Sequence, residues 1–269
     1  MGMDLRFFDT HCHLAGDELI PHAEDISGRA WDGHVRGWAI VAADIASLKA
    51  TPDVVARLKA KHPQAVVVGT AGLHPHESET IDPAGWALVE AQASSSAAAV
   101  GETGLDYFYD HSDRAIQREW FDKHIELACQ LKKPLVIHCR NAATDVLSML
   151  DRPSIRNHPN PGILHCFTED APTAKALLDL NFYISLSGII SFRNAEALRE
   201  VAKMVPAERL LIETDSPWLA PIPHRGKRNE PAFVKHVFET LCTVRSESPE
   251  QLAPILWENS CRVYGVKAS

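Results

Sequence analysis

The chain has no long apolar run. No segment approaches the ~20 apolar residues of a membrane-spanning helix, and residues 1–13 hold no apolar stretch of signal length. Neither a membrane protein nor a secreted one is expected. Cysteine is sparse: six in 269 residues, at positions 12, 129, 139, 166, 242 and 261, with no Cys-x-x-Cys pair. That scatter excludes a disulfide framework and predicts reduced thiols in the cytoplasm. Positive charge is not in excess. The formal net charge is −8, so a broadly basic surface for nucleic acid is excluded, and any contact with a polyanion needs a local basic patch or bound cations. The acidic balance also argues against a membrane surface. No glycine-rich phosphate loop follows an early strand, and no linker, repeat or low-complexity tract divides the chain.

What is present is alternation. Short apolar, β-branched runs predict strands at Phe7–His11, Trp38–Ala42, Val66–Gly72, Ala98–Gly101, Leu135–Cys139, Gly162–Phe167, Phe182–Ser187 and Leu210–Asp215. Between them lie helix-like stretches, one opening at Thr51-Pro52-Asp53, the longest running from Asp113 to Lys132. Others cover about 83–93, 142–151, 171–180, 194–204, 231–245 and 249–260. Residues 21–36 read as an irregular loop over the mouth. Eight β-then-α units with strands this apolar predict a (β/α)8 TIM barrel, one α/β domain over residues 1–269.

Such barrels carry their chemistry at the C-terminal ends of the strands. His11 and His13 fall after the first strand, Glu102 after the fourth, His138 after the fifth, His165 after the sixth and Asp215 after the eighth. Side chains at i and i+2 of a strand share a face, so His11 and His13 form a side-by-side grip. This mix of nitrogen and oxygen suits Mg²⁺, Mn²⁺ or Zn²⁺. Six ligands exceed what one catalytic ion with an open position takes. They fit two divalent ions roughly 3.5–4 Å apart. One would take His11, His13, Glu102 and Asp215; the other would take Glu102, His138 and His165, with Glu102 as the bridge. Asp215 is the expected general base for the attacking water.

Seven segments carry a resemblance: Phe8-Asp9-Thr10-His11-Cys12-His13, Gly72-Leu73-His74-Pro75-His76, Gly101-Glu102-Thr103-Gly104-Leu105-Asp106-Tyr107, Pro134-Leu135-Val136-Ile137-His138-Cys139-Arg140, His165-Cys166-Phe167-Thr168, Ile212-Glu213-Thr214-Asp215-Ser216-Pro217 and Arg225-Gly226-Lys227-Arg228-Asn229-Glu230-Pro231. Together they closely resemble the TatD family of metal-dependent deoxyribonucleases, over about residues 7–264. The resemblance implies an amidohydrolase-type barrel, a divalent-metal site on those same six residues, and phosphodiester hydrolysis, often as a 3′→5′ exonuclease on DNA. It departs at Glu169, where relatives often have glycine.

The substrate side is expected from basic groups at the same mouth. Arg225 and Arg228 lie in the densest basic cluster, after the eighth strand, where TIM barrels commonly bind phosphate. His74 follows the third strand, and Arg140 lies two residues beyond His138 on the same face. The partner would be single-stranded DNA or its 3′ ends, with no obligate protein partner expected.

Plainer readings stand beside these. The Arg225–Arg228 run reads equally as a solvated loop. Glu213 shares the face of Asp215 and is expected to be structural, while Cys139 and Cys166 are expected to turn away toward helices. A rival enzyme with the same barrel would hydrolyse an ester or amide, as a D-aminoacyl-tRNA deacylase or a lactonase does. Many such barrels bridge their metals through a modified lysine after the fourth strand, and no lysine lies between Lys61 and Lys123. A non-catalytic metal-binding barrel is a further alternative, disfavoured by the complete ligand set.

Overall fold

The computed structural model describes residues 5–268. Among them, eight strands form one sheet in chain order: β1 Phe7–Cys12, β2 Val35–Ile40, β3 Val66–Ala71, β4 Ala99–Asp106, β5 Leu135–Arg140, β6 Gly162–Leu164, β7 Tyr183–Leu186 and β8 Leu210–Ile212. Every pair of neighbours is parallel. The ring is nearly closed by a bridge between Cys12 and Ser216. There the His13 amide donates to the Ser216 carbonyl at 3.0 Å, and the Asp215 amide to His11 at 2.9 Å.

Helices α1 Ala23–Asp32, α2 Ile45–Lys61, α3 Pro83–Ser94, α4 Arg114–Leu131, α5 Ala143–Leu150, α6 Pro153–Arg156, α7 Ala171–Asp179, α8 Glu196–Met204, α9 Val234–Val244 and α10 Pro249–Val263 accompany the sheet. The core has two parts. The larger lies between sheet and helices. The smaller takes one side chain from each strand in turn: Phe8, Ala39, Val68, Ala99, Val136, Ile163, Tyr183 and Leu211. Trp257 and Cys261 of α10, with Tyr264 just beyond it, join this cluster, and the Tyr264 hydroxyl donates to the Thr10 carbonyl at 2.6 Å. The barrel is thus filled at its lower end, leaving the strands' C-terminal ends for polar groups.

Two local expectations are corrected. Residues 21–36 are not an irregular loop: α1 buries Ala23, Ile26, Ser27 and Ala30 at helical spacing and stops at Gly33, and β2 begins at Val35. The helix expected to open at Thr51 opens at Ile45. Asp44 caps it, its side chain accepting from the Ser47 amide at 2.7 Å, and Pro52 lies inside the helix.

Candidate metal centre

Alternation along β1 and β4 does not by itself bring the ligands inward. With Phe8 in the barrel, strict period two puts Thr10 inward and His11 outward. The register shifts between Asp9 and Cys12, where three steps on β1 match two on β2 (Asp9 opposite Trp38, Cys12 opposite Ile40). On β4, Gly101 pairs with Val136 and Thr103 with Ile137, so Glu102 is an extra residue. These are bulges, which re-aim a side chain. They put His11 and Glu102 on the same interior as His138, which follows the inward Val136 by simple alternation, and as His165 and Asp215, which lie just beyond β6 and β8, Asp215 at φ 57°.

Glu102 is buried at the centre and its two oxygens face different groups. Oε2 lies 3.4 Å from His11 Nε2 and 3.6 Å from His13 Nε2. Oε1 lies 2.7 Å from His165 Nε2, 3.2 Å from His138 Nδ1 and 3.6 Å from His74 Nε2. Asp215 Oδ1 joins the first group, 3.3 Å from His13 Nε2 and 3.7 Å from His11 Nε2.

Behind the rings, hydrogen bonds choose which nitrogen faces inward. His13 Nδ1 donates to the Val41 carbonyl at 3.2 Å. His138 Nε2 donates to Asp106 Oδ2 at 3.0 Å. His165 Nδ1 donates to Glu213 Oε1 at 3.3 Å, and Glu213 also accepts from the Cys166 amide and the Ser185 hydroxyl. In its neutral form each of these three rings would therefore turn a bare lone pair toward Glu102. His74 differs: its Nδ1 accepts the His76 amide at 3.1 Å, so in the neutral ring the proton sits on Nε2.

Charge in this cluster is strongly coupled. Burial opposes ionisation of Glu102, yet the His165, His74 and His11 rings hold its carboxyl well below the ordinary value. Burial likewise opposes charge on His165, but Glu102 and Glu213 hold that ring well above its ordinary value. Burial and then the His138 charge press His74 well down, keeping it neutral. Burial and His165 lower His11. The residues fit divalent cations. His11, His13 and Glu102 offer ligand atoms close enough for one ion; His11, His165 and Glu213 lie as close together, and so do His74, Glu102 and His138, although the Nε2 proton of His74 makes that ring a donor there instead of a ligand. The buried His11 Nδ1 and His165 Nε2 lack hydrogen-bond partners among the described residues.

A cavity of about 500 Å³ opens above these groups. Of the residues expected from sequence, His13, Glu102, His138, His165 and Asp215 line it, as do His74 and Arg140. His11 lies beneath, fully buried. Arg225 and Arg228 are exposed and outside this lining, with the Arg225 guanidinium 3.8 Å over the Phe192 ring. Glu169 instead accepts from the Cys139 thiol at 3.7 Å. Cys166 Sγ pairs with the Ser187 hydroxyl at 3.2 Å, on a residue of positive φ.

Sequence reasoning missed Asp106, which accepts from both His138 and His76 at 3.0 Å. Its signal was available: Glu102, Gly104 and Asp106 recur at period two. It also missed Asn229, a buried residue whose amide donates to the carbonyls of Thr214 and Trp218 and ties down the loop carrying Asp215.

With this geometry in hand, the chain can be placed among known proteins. The family model described as TatD related DNase matches residues 8–265. The uncharacterized metal-dependent hydrolase YcfH of Escherichia coli K12 is 40% identical over 265 residues, covering 97% of this chain and 96% of its own. The 3′-5′ ssDNA/RNA exonuclease TatD of Citrobacter rodentium is 32% identical over 265 residues, covering 96% and 98%. The solved structure of YJJV, a TatD homolog from Escherichia coli K12, superposes with a TM-score of 0.86 at 27% identity, covering 98% and 100%. A match across nearly the whole chain, together with the matching barrel, means that this chain belongs to the TatD-related DNase family.

Proposed function

We propose that the chain is a metal-dependent hydrolase that cleaves DNA phosphodiester bonds, working from the 3′ end at two divalent ions. The observation that carries this reading is Glu102, whose two carboxylate oxygens face two separate histidine groups. A carboxylate so divided has the disposition of a bridge between two ions. His11, His13 and Asp215 would hold one with Glu102 Oε2; His138 and His165 would hold the other with Oε1. Ions of the Mg²⁺, Mn²⁺ or Zn²⁺ class held there would supply an acidified water and neutralise the phosphate.

The chain's own groups do the rest. Asp215 lines the cavity, and burial notwithstanding, the His13 hydrogen bond and the His11 and His165 charges hold its carboxyl below the ordinary value, so it is ionised and able to take a proton as general base. His74, neutral and protonated at Nε2, is a donor for a phosphate oxygen. Arg140 adds positive charge at the rim, so an acidic chain can hold a polyanion locally. The exonuclease name of the Citrobacter relative supports the substrate class.

The test is cleavage of a 5′-labelled single-stranded DNA oligonucleotide with Mg²⁺, Mn²⁺ or Zn²⁺, beside an EDTA control. A metal-dependent ladder shortening from the 3′ end is expected. Intact DNA with bound metal would overturn the nuclease reading and favour an ester or amide substrate such as D-aminoacyl-tRNA.

A further inference from the structure

The cavity rim holds more apolar ring than a site for phosphate alone needs. Trp218 lines the cavity and is 55% exposed. Its ring meets His13 edge-on, with centroids 5.1 Å apart. Its position is held rather than free: the Trp218 amide donates to the Asp215 carbonyl at 3.0 Å, and its carbonyl accepts from the Asn229 side chain at 2.6 Å. An indole is thus carried on a fixed loop, three residues from Asp215 and against a residue of the proposed first metal group, with much of its surface open to solvent.

A second aromatic group stands on the side of β4 and β5. Tyr109 also lines the cavity and is 50% exposed. The Arg140 guanidinium lies 4.7 Å from its ring centre and 4.2 Å from that of Phe108, itself 53% exposed. Cation and rings brace one another, which holds the guanidinium at the rim. Large exposed aromatic surface is uncommon unless something covers it. Here it flanks a metal-binding cavity of a size that suits a nucleotide.

Nucleobases offer a π-face whatever their identity, and aromatic side chains beside a cationic track are how single strands are held without sequence preference. An unpaired end offers its base to such a platform without the cost of opening a pair. We propose that Trp218 is the stacking platform for the 3′-terminal nucleobase, selecting single-stranded or frayed 3′ ends, while Arg140 braced by Phe108 and Tyr109 contacts the adjoining phosphate. This rests on the phosphodiesterase reading above and adds the group that recognises the base.

Two 5′-labelled oligonucleotides test it, identical except that the 3′-terminal residue carries a base or an abasic tetrahydrofuran. The native protein is expected to show a KM about tenfold lower for the base-bearing end. Trp218→Ala should raise that KM to the abasic level, and Trp218→Phe should restore most of the preference. Equal discrimination in native protein and Trp218→Ala would overturn the proposal. Binding gives an independent readout: an oligonucleotide ending in 2-aminopurine, with Ca²⁺ present, should be quenched by the native protein and much less by Trp218→Ala. If neither oligonucleotide is cleaved, the nuclease reading fails, and the quenching still decides the platform: equal quenching by both proteins, or none, overturns it.

Discussion

Asp106 Oδ2 accepts from Nε2 of His138 at 3.0 Å, and that bond sends the other ring nitrogen, Nδ1, to within 3.2 Å of Glu102. Asp106 is well placed to hold its own charge. Burial notwithstanding, hydrogen bonds from His138 and His76 and the amide of Tyr109 keep its carboxyl far below the ordinary range. Replacing it with Asn removes the charge and lets the His138 ring choose the other tautomer. Asp106→Asn should weaken metal binding about 10- to 100-fold, read by calorimetric titration of the metal-stripped protein. Unchanged affinity would show that Asp106 does not orient the ring.

Gly104 lies on β4 beside His138, at φ 139°. A Cβ there would come within 2.0 Å of the His138 carbonyl oxygen. Gly104→Ala should therefore lose at least ~3 kcal/mol in urea denaturation, through both backbone strain and the clash. A loss under ~1 kcal/mol would mean that β4 can shift without cost.

His124 gives a pH dependence away from the site. It is buried on α4, with Nδ1 donating to the Trp120 carbonyl at 2.7 Å and Nε2 accepting from the Leu73 amide at 3.3 Å. Burial pushes its pKa down to about 4, from 6.5. Below 6.5 the unfolded chain binds the proton more readily than the native one, so stability is full above 6.5 and falls as pH drops toward 4. The loss between pH 7 and pH 4 should be roughly 3 kcal/mol from this group. His124→Gln should lose less than the native protein over that interval; identical pH profiles in urea denaturation would contradict the assignment.

Among the described residues, Arg140 is the arginine that lines the cavity. Arg140→Ala is expected to raise KM for an oligonucleotide and to flatten its salt dependence by about one phosphate contact. Arg225→Ala and Arg228→Ala should have smaller effects. The reverse order would return the phosphate grip to the loop after β8.

The barrel was readable because its strands are short apolar runs at regular intervals, with His138 at the end of one run and His165 and Asp215 just beyond the ends of two others. The bulges were not readable. Nothing in Asp9-Thr10-His11 or Gly101-Glu102-Thr103 says that one residue falls out of register, and sequence alone located His11 and Glu102 through the company they keep. The expected helix start at Thr51-Pro52 failed for a related reason. A proline at position 52 looks like a first turn, but Asp44 and Ser47 form a capping box upstream that outweighs it. The gap at 21–36 hid α1 because Gly28 and Gly33 bracket its second half, whereas the burial of Ala23, Ile26 and Ala30 is decided by packing.

The most direct test of the bridging role of Glu102 is metal content per chain after equilibrium dialysis against Mn²⁺ or Zn²⁺, for the native protein and for Glu102→Ala. The account predicts two ions per native chain and fewer than one in the variant, since both positions lose a ligand and a charge together. Two ions retained by Glu102→Ala, or a single ion in the native protein, would contradict it.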